Sequence, residues 1–196
     1  RETSLVRNKP WEGNVSGYTT VFQDGDLYRL YYRGTDTVYT QGKFTSPHRE
    51  VVCYAESRDG MMWTRPELGL VEFDGSKENN IIWDGVGSHN FTPFLDTREG
   101  VDPQQRFKAV AGTAGSGGMF AFASPDAIHW RKLLDKPVIA KGAFDSQNLA
   151  FWDLVRKVYQ HQFIHVYTDA TIAESTGYVG NFLTRVKSDI GVIEIK

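Results

Sequence analysis

A seven-residue pattern with three fixed positions occurs twice in this chain. Ser57-Arg58-Asp59-Gly60-Met61-Met62-Trp63 returns 67 positions later as Ser124-Pro125-Asp126-Ala127-Ile128-His129-Trp130, with Ser, Asp and Trp in the same places. Each copy follows a short apolar run, Val51 to Ala55 in the first and Met119 to Ala123 in the second. Ser and Asp side chains accept hydrogen bonds from main-chain N–H groups just ahead of them, which closes a tight turn. Gly60 supplies a residue that tolerates positive φ. The Trp then opens the outgoing strand and buries a large ring between neighbouring sheets. A repeat of this kind reports a supersecondary unit that is stacked against copies of itself.

A second element recurs upstream of each copy. Tyr18 to Asp24 leads by a turn into Leu27 to Tyr32, Phe91 to Asp96 leads into Arg106 to Val110, and Asn148 to Asp153 leads into Lys157 to Tyr159. Each is an apolar strand that ends in Asp, then a polar turn, then an alternating strand. The recurring Asp24, Asp96 and Asp153 sit at turns and read as structural. The unit is therefore strand, turn, strand, loop, strand, Ser-x-Asp turn, strand. Four antiparallel strands in roughly 50 to 70 residues describe a β-propeller blade. Blades are expected at about 14–87 and 88–142. An incomplete third is expected at 143–160, and a divergent tail at 161–196 that does not match the blade pattern.

Composition agrees with an all-β fold. The chain has 26 aromatic residues and 19 glycines among 196, and no long segment keeps the i, i+3, i+4, i+7 apolar spacing of a helix. The net charge of −2 lacks the basic excess of a general nucleic-acid binder. No apolar run reaches the roughly 18 residues of a membrane-spanning helix. Cys53 is the single cysteine, so neither an internal disulfide nor a cysteine-based metal cage is expected. His161 and His165 lack an acidic partner at metal-site spacing, and no metal or other cofactor is expected. Gly112 to Gly118 is glycine-rich but lacks the Gly-Lys-Ser/Thr ending of a phosphate loop and precedes a strand, so it reads as a hairpin loop. The chain starts at Arg1, which suggests a processed form or a fragment and leaves the compartment open.

The Ser-Arg-Asp-Gly-Met-Met-Trp hairpin and the segment Phe144 to Asp153 resemble the five-bladed β-propeller glycoside hydrolases of the invertase, levanase and arabinanase group. The resemblance covers about residues 11–160. It is closer than the likeness to the sialidase Asp box, where the Gly falls one position later. It implies an axial pocket on the propeller in which acidic residues from the innermost strands act on a carbohydrate, and it favours a secreted or extracytoplasmic place. Such chemistry needs one protonated carboxyl at the leaving oxygen and a second carboxylate, or a water it activates, on the opposite face of the sugar. On the resemblance, Asp145 is the nearest match to the second-blade carboxylate, although the Arg and Pro of the family's Arg-Asp-Pro motif are missing. Glu12 in Trp11-Glu12-Gly13-Asn14 is the nearest acidic residue to the first-blade motif, a few residues early.

Asp145 and Glu12 are thus the candidate catalytic residues, and His89, Asn90, Gln147, Asn148 and Trp11 the candidate sugar contacts. Each has a plainer reading as a turn, entry-segment or strand-start residue. Trp63 and Trp130, repeated at blade positions, read as core. Three functions follow: a glycoside hydrolase or a domain of one, a non-catalytic carbohydrate-binding propeller, and a propeller that engages protein partners. Repeats of this length place fewer than three blades in the chain, whereas a closed five-bladed ring needs roughly 300 residues. Open blade edges that self-associate are an expected consequence.

Overall fold

The computed structural model describes residues 3–162, apart from 16, 141, 143 and 145. The expected tail therefore lies outside the described residues, save for His161 and Gln162. The protein is all-β, and its two helical pieces among the described residues are single 3-10 turns at Pro103–Gln105 and Ala114–Ser116. The strands, in chain order, are β1 (Thr20–Asp24), β2 (Leu27–Gly34), β3 (Val38–Thr40), β4 (Lys43–Thr45), β5 (Val51–Ser57), β6 (Ile81–Asp84), β7 (Thr92–Leu95), β8 (Phe107–Ala111), β9 (Phe120–Ser124), β10 (Arg131–Lys132), β11 (Leu149–Asp153) and β12 (Val158–Gln162).

They form two four-stranded antiparallel blades, β1-β2-β5-β6 and β7-β8-β9-β10, followed by the pair β11-β12. The small hairpin β3-β4 is inserted between β2 and β5. The first strands of the blades lie side by side, β1 beside β7 and β7 beside β11, which makes them the innermost strands. Gln147 fastens this arrangement by donating from Nε2 to Thr19 O (3.1 Å) and Thr20 Oγ1 (2.8 Å) at the start of β1.

Period-2 alternation sends successive residues to opposite faces of a sheet. In β5, Val52 and Tyr54 face the second blade, while Val51, Cys53 and Ala55 face the other way. Tyr31, Phe91, Phe107, Phe122 and Trp130 fill the space between blades one and two. Each large apolar side chain buried there contributes on the order of 1.5–3 kcal/mol. Val110, Met119 and Phe144 begin the next layer toward the third blade. The outer face of the first blade is covered by Leu5 and Trp11 of the entry segment and by Val71 and Phe73.

The two Ser-x-Asp turns match bond for bond. Ser57 Oγ donates to Asp59 Oδ1 (2.9 Å) and accepts from the N–H groups of Asp59 (3.2 Å) and Gly60 (2.9 Å), while Asp59 Oδ1 accepts from Met61 and Met62 N–H (both 2.8 Å). Ser124 and Asp126 repeat every one of these with Ala127, Ile128 and His129. The strands that follow differ. Arg131–Lys132 pairs directly with β9. After Trp63 only Thr64 pairs, with Glu56, because Pro66 has no N–H to extend the ladder. The fourth strand of blade one is therefore Ile81–Asp84, farther along than the Trp suggested.

The three recurring aspartates hold turns, and two of them, Asp24 and Asp96, also join blades. Asp24 accepts from Arg29 of its own blade (2.8 and 3.0 Å) and from Arg106 of the next (2.5 Å). Asp96 accepts from Lys108 of its own blade and from the Tyr159 hydroxyl of the third (2.5 Å). Asp153 accepts from Gln160 (2.7 Å) and from the N–H groups of Val155 and Arg156.

Candidate functional site

One end of the sheets gathers most of the polar side chains singled out in the sequence. The antiparallel registers set Gly34 opposite Val51 and Thr92 opposite Val110, so the end of β2, the start of β5, the start of β7 and the end of β8 all fall there. The Ser-x-Asp turns lie at the opposite end, beyond the C-terminal ends of β5 and β9.

Arg33, Glu50 and His89 meet at this end. His89 Nδ1 is 3.0 Å from both carboxylate oxygens of Glu50 and 3.0 Å from Arg33 NH1. Arg33 NH1 also donates to Glu50 Oε1 at 3.4 Å. The Arg33 guanidinium stacks over the Tyr18 ring at 4.7 Å, and Tyr18 packs against the His89 ring at 5.1 Å between centroids. Arg33 is thereby nearly buried, whereas the side chains of Glu50 and His89 stay 34% and 30% exposed. The hydrogen bond from His89 holds the Glu50 carboxyl below the usual carboxylate range. Partial burial opposes this, and the electrostatic influence of His89 and Arg33 adds to it. Glu50 is thus an ionised acceptor, fixed in position by His89 and Arg33.

Glu50 and His89 line a cavity of about 180 Å³ whose other walls are Gly85, Val86, Gly87, Ser88, Gly112, Thr113 and Ser116. That is smaller than the roughly 300–1,000 Å³ common for drug-sized ligands, and it suits one small polar moiety. The glycine-rich stretch between β8 and β9 is a built loop. Thr113 caps its 3-10 turn, with Thr113 N–H donating to Ser116 Oγ (2.8 Å) and Ser116 N–H donating to Thr113 Oγ1 (3.3 Å).

Asn90, beside His89, is wholly buried and acts on the main chain. Its Nδ2 donates to the carbonyls of Gly112, Phe144 and Ser146 (2.9, 3.0 and 3.0 Å), and its Oδ1 accepts from Gly112 N–H (2.8 Å). The Asn90-Phe91-Thr92 sequon is therefore buried. Asn148 is also buried and donates to Phe144 O (3.3 Å) and Ser146 O (2.8 Å). Its Oδ1 and Ser146 Oγ are buried with no hydrogen-bond partner among the described residues. Asp145 lies outside the described residues. Gln147 is engaged with Thr19 and Thr20 across the inner strands.

Trp11 and Glu12 are not brought to this cluster. They pack on the outer face of blade one. Trp11 Nε1 donates to Asn80 Oδ1 (2.7 Å). Glu12 is 0% exposed and accepts from Tyr32 OH (2.5 Å), from Arg65 NH1 (2.7 and 2.9 Å) and from the N–H groups of Asn8 and Lys9 (2.8 and 2.9 Å). Burial raises its pKa, but these donors outweigh burial and hold the carboxyl below its ordinary range.

Sequence reasoning passed over Arg33 and Glu50. The available signal is their placement at the two ends of an insertion that breaks the blade repeat between β2 and β5. A second cavity, of about 220 Å³, lies between blade two and the β11-β12 pair and is lined by apolar residues such as Phe94, Val110, Leu133 and Ile139, with Lys108 and Gln160 at its margin. It belongs to blade packing. Among the described residues no group of three or more His, Cys, Asp or Glu side chains is placed to hold a metal ion. No helix among them is long and apolar enough to cross a membrane.

No protein-family model matches the chain. Among curated proteins it is similar to an uncharacterized protein of Mycobacterium tuberculosis, found in two strains, at 37% identity over 59 residues. That match covers 30% of this chain and 19% of the relative, so the chain spans about a fifth of the length of the curated proteins it matches. Among solved structures it is similar to a glycosyl hydrolase from Bacteroides ovatus, at 15% identity and a TM-score of 0.38, over 78% of this chain and 61% of that one. It is also similar to a structure from the GH130 family of mannoside phosphorylases, a family that contains glycoside hydrolases targeting β-1,2 mannosidic linkages in Candida mannan. There the identity is 14% and the TM-score 0.36, over 81% of this chain and 63% of that one.

Proposed function

We propose that this chain is part of a five-bladed propeller that binds a carbohydrate in the Glu50–His89 cavity and, with Asp145, cleaves a glycosidic bond. The observation that carries the reading is the convergence of Arg33, Glu50 and His89 beside a small polar cavity at the entry end of the inner strands. In the sequence Asp145 stands four residues before Leu149, where β11 of the third blade begins. An ionised carboxylate and an imidazole, each about one-third exposed, suit a pair of sugar hydroxyls, one donating and one accepting. Glu50, held below the usual carboxylate range, fits the ionised role and not that of proton donor. The proton donor of glycosidic cleavage is then assigned to Asp145. Glu12, with its carboxylate fully engaged, takes a framework role.

A non-catalytic sugar-binding propeller is the second reading, favoured by the missing Arg and Pro around Asp145. The test uses the full chain on a glycan panel, with bound sugar and released reducing ends measured in parallel. Glu50→Gln and His89→Ala are expected to lose binding. Asp145→Asn is expected to keep binding and lose turnover by about 100-fold or more, the scale of general acid–base catalysis. Binding without reducing ends in the wild type supports the second reading. Absence of binding to any glycan overturns both.

A further inference from the structure

The connection between β2 and β5 leaves the sheet beside Arg33 and returns at Glu50, the two residues that hold His89. Between them stands the β3-β4 hairpin. It turns at Gln41 and Gly42, both at positive φ (+51° and +80°), as a two-residue hairpin turn demands. Its base is clamped by Asn14, which accepts from Thr37 N–H (2.9 Å) and donates to Thr37 O (3.0 Å). All six strand residues are exposed. Tyr39 and Phe44 are register partners with ring centroids 4.8 Å apart, tilted by 46°.

A cross-strand aromatic pair steadies a hairpin, but these two rings join none of the core clusters and remain 63% and 75% exposed. Large apolar rings displayed together in solvent mark a contact surface. Two rings on a narrow two-stranded arm offer far less area than the roughly 800 Å² per partner of an ordinary protein interface. They match one face of a sugar ring, whose C–H groups pack on an aromatic face. In blade two the corresponding connection is the short loop Gly112 to Gly118, which carries no aromatic residue.

We infer that Tyr39 and Phe44 form a stacking platform for the outer residues of an oligosaccharide whose first residue occupies the Glu50–His89 cavity. The inference rests on the proposed sugar-binding role of that cavity and adds chain-length preference to it. The connection that carries the platform returns to the sheet at Glu50, a residue of the cavity wall, so the hairpin and the cavity share one stretch of chain.

The test measures affinity of the full chain for levan, inulin and arabinan oligosaccharides of one to six residues, together with a printed glycan array. The proteins compared are the wild type, the double variant Tyr39→Ala/Phe44→Ala and Glu50→Gln. The expected result is affinity that rises with chain length in the wild type. The double variant is expected to lose about ten-fold on the longer sugars, the size of one well-made aromatic contact, while its affinity for the single sugar is unchanged. Glu50→Gln is expected to lose binding at every length. A wild type that binds with no dependence on length, or a double variant that binds the longer sugars as the wild type does, overturns the platform and leaves the cavity intact. A wild type that binds none of the oligosaccharides and no glycan on the array overturns the cavity reading and the platform with it. A thermal melt of the double variant, expected to match the wild type because neither ring enters the core, separates lost contact from lost fold.

Discussion

Tyr31 of the first blade donates its hydroxyl to the main-chain carbonyl of Ala127 in the second, at 2.9 Å. Ala127 sits in the second Ser-x-Asp turn, and the same carbonyl accepts from the indole N–H of Trp130 at 3.0 Å. One carbonyl therefore ties the repeated turn both to its own Trp and to the neighbouring blade. Tyr31→Phe keeps the ring in its stack with Phe22 and leaves the carbonyl one donor. The expected loss is about 1 kcal/mol, the ordinary net worth of a buried hydrogen bond, measured by urea unfolding. A loss near zero would mean that this hydrogen bond adds nothing to the joint between the blades.

The turn position itself gives a reciprocal pair of variants. Gly60 and Ala127 occupy the same place in the two turns at φ +72° and +69°. A Cβ at Gly60 meets only ordinary contact with the Tyr28 ring at 3.9 Å, so Gly60→Ala carries the conformational cost alone, about 1 kcal/mol. Ala127→Gly removes that strain but also a buried methyl worth about 0.8 kcal/mol, and a net change near zero is expected. Equal destabilisation by the two variants in chemical denaturation would contradict this account.

Glu12→Gln tests the framework role. The change leaves Arg65 without its buried anion, and the expected cost is about 3 kcal/mol. Binding and turnover per folded molecule should stay at the wild-type level. A variant that folds with wild-type stability but loses activity would return Glu12 to the chemistry.

Stability should fall in acid, and the sign follows from four carboxylates. Glu12, Asp24 and Asp96 all lie below their ordinary values because arginine, lysine, tyrosine or main-chain donors outweigh burial. Asp126 is lowered to about 2 by the N–H groups and imidazole of His129, the Ile128 N–H and Ser124, against burial. A lowered folded-state pKa contributes stability that is complete above the unfolded value and is lost as pH falls through the folded one. The ordinary values are 4.5 for Glu12 and 3.8 for the aspartates. The free energy of unfolding should therefore be level from neutral pH to about 5 and decline steeply between about 4 and 2. A decline centred near pH 6 would mean that these four carboxylates do not set the acid limit.

The architecture was legible because its signals are local. In the Ser-x-Asp turn every bond spans two or three residues, so Ser57 and Asp59 close their turn whatever surrounds them. The unbroken apolar run Val51 to Ala55 needs no distant partner to declare a strand buried on both faces. The same holds for the turn aspartates, though not for their second partners: Arg106 reaches Asp24 across 82 residues, and Tyr159 reaches Asp96 across 63. The displaced fourth strand of blade one was missed because the repeat directs attention to Trp63, while Pro66 ends pairing just beyond it.

The candidate site was legible only in part. His89 stood out as a polar residue at a strand start, but Arg33 and Glu50 lie 56 and 39 residues away from it in the chain. The insertion that Arg33 and Glu50 flank marks both of them, but nothing in it points to His89. Glu12 looked like a free carboxylate until Arg65, 53 residues on, and Tyr32 closed around it. Local hydrogen bonding and alternation, which act over a few residues, determined from the sequence alone that this protein is built of repeated four-stranded blades. Which charges meet, which are buried and which keep a face to solvent depends on how blades stack, and that is a property of contacts between distant segments that only the tertiary structure decides.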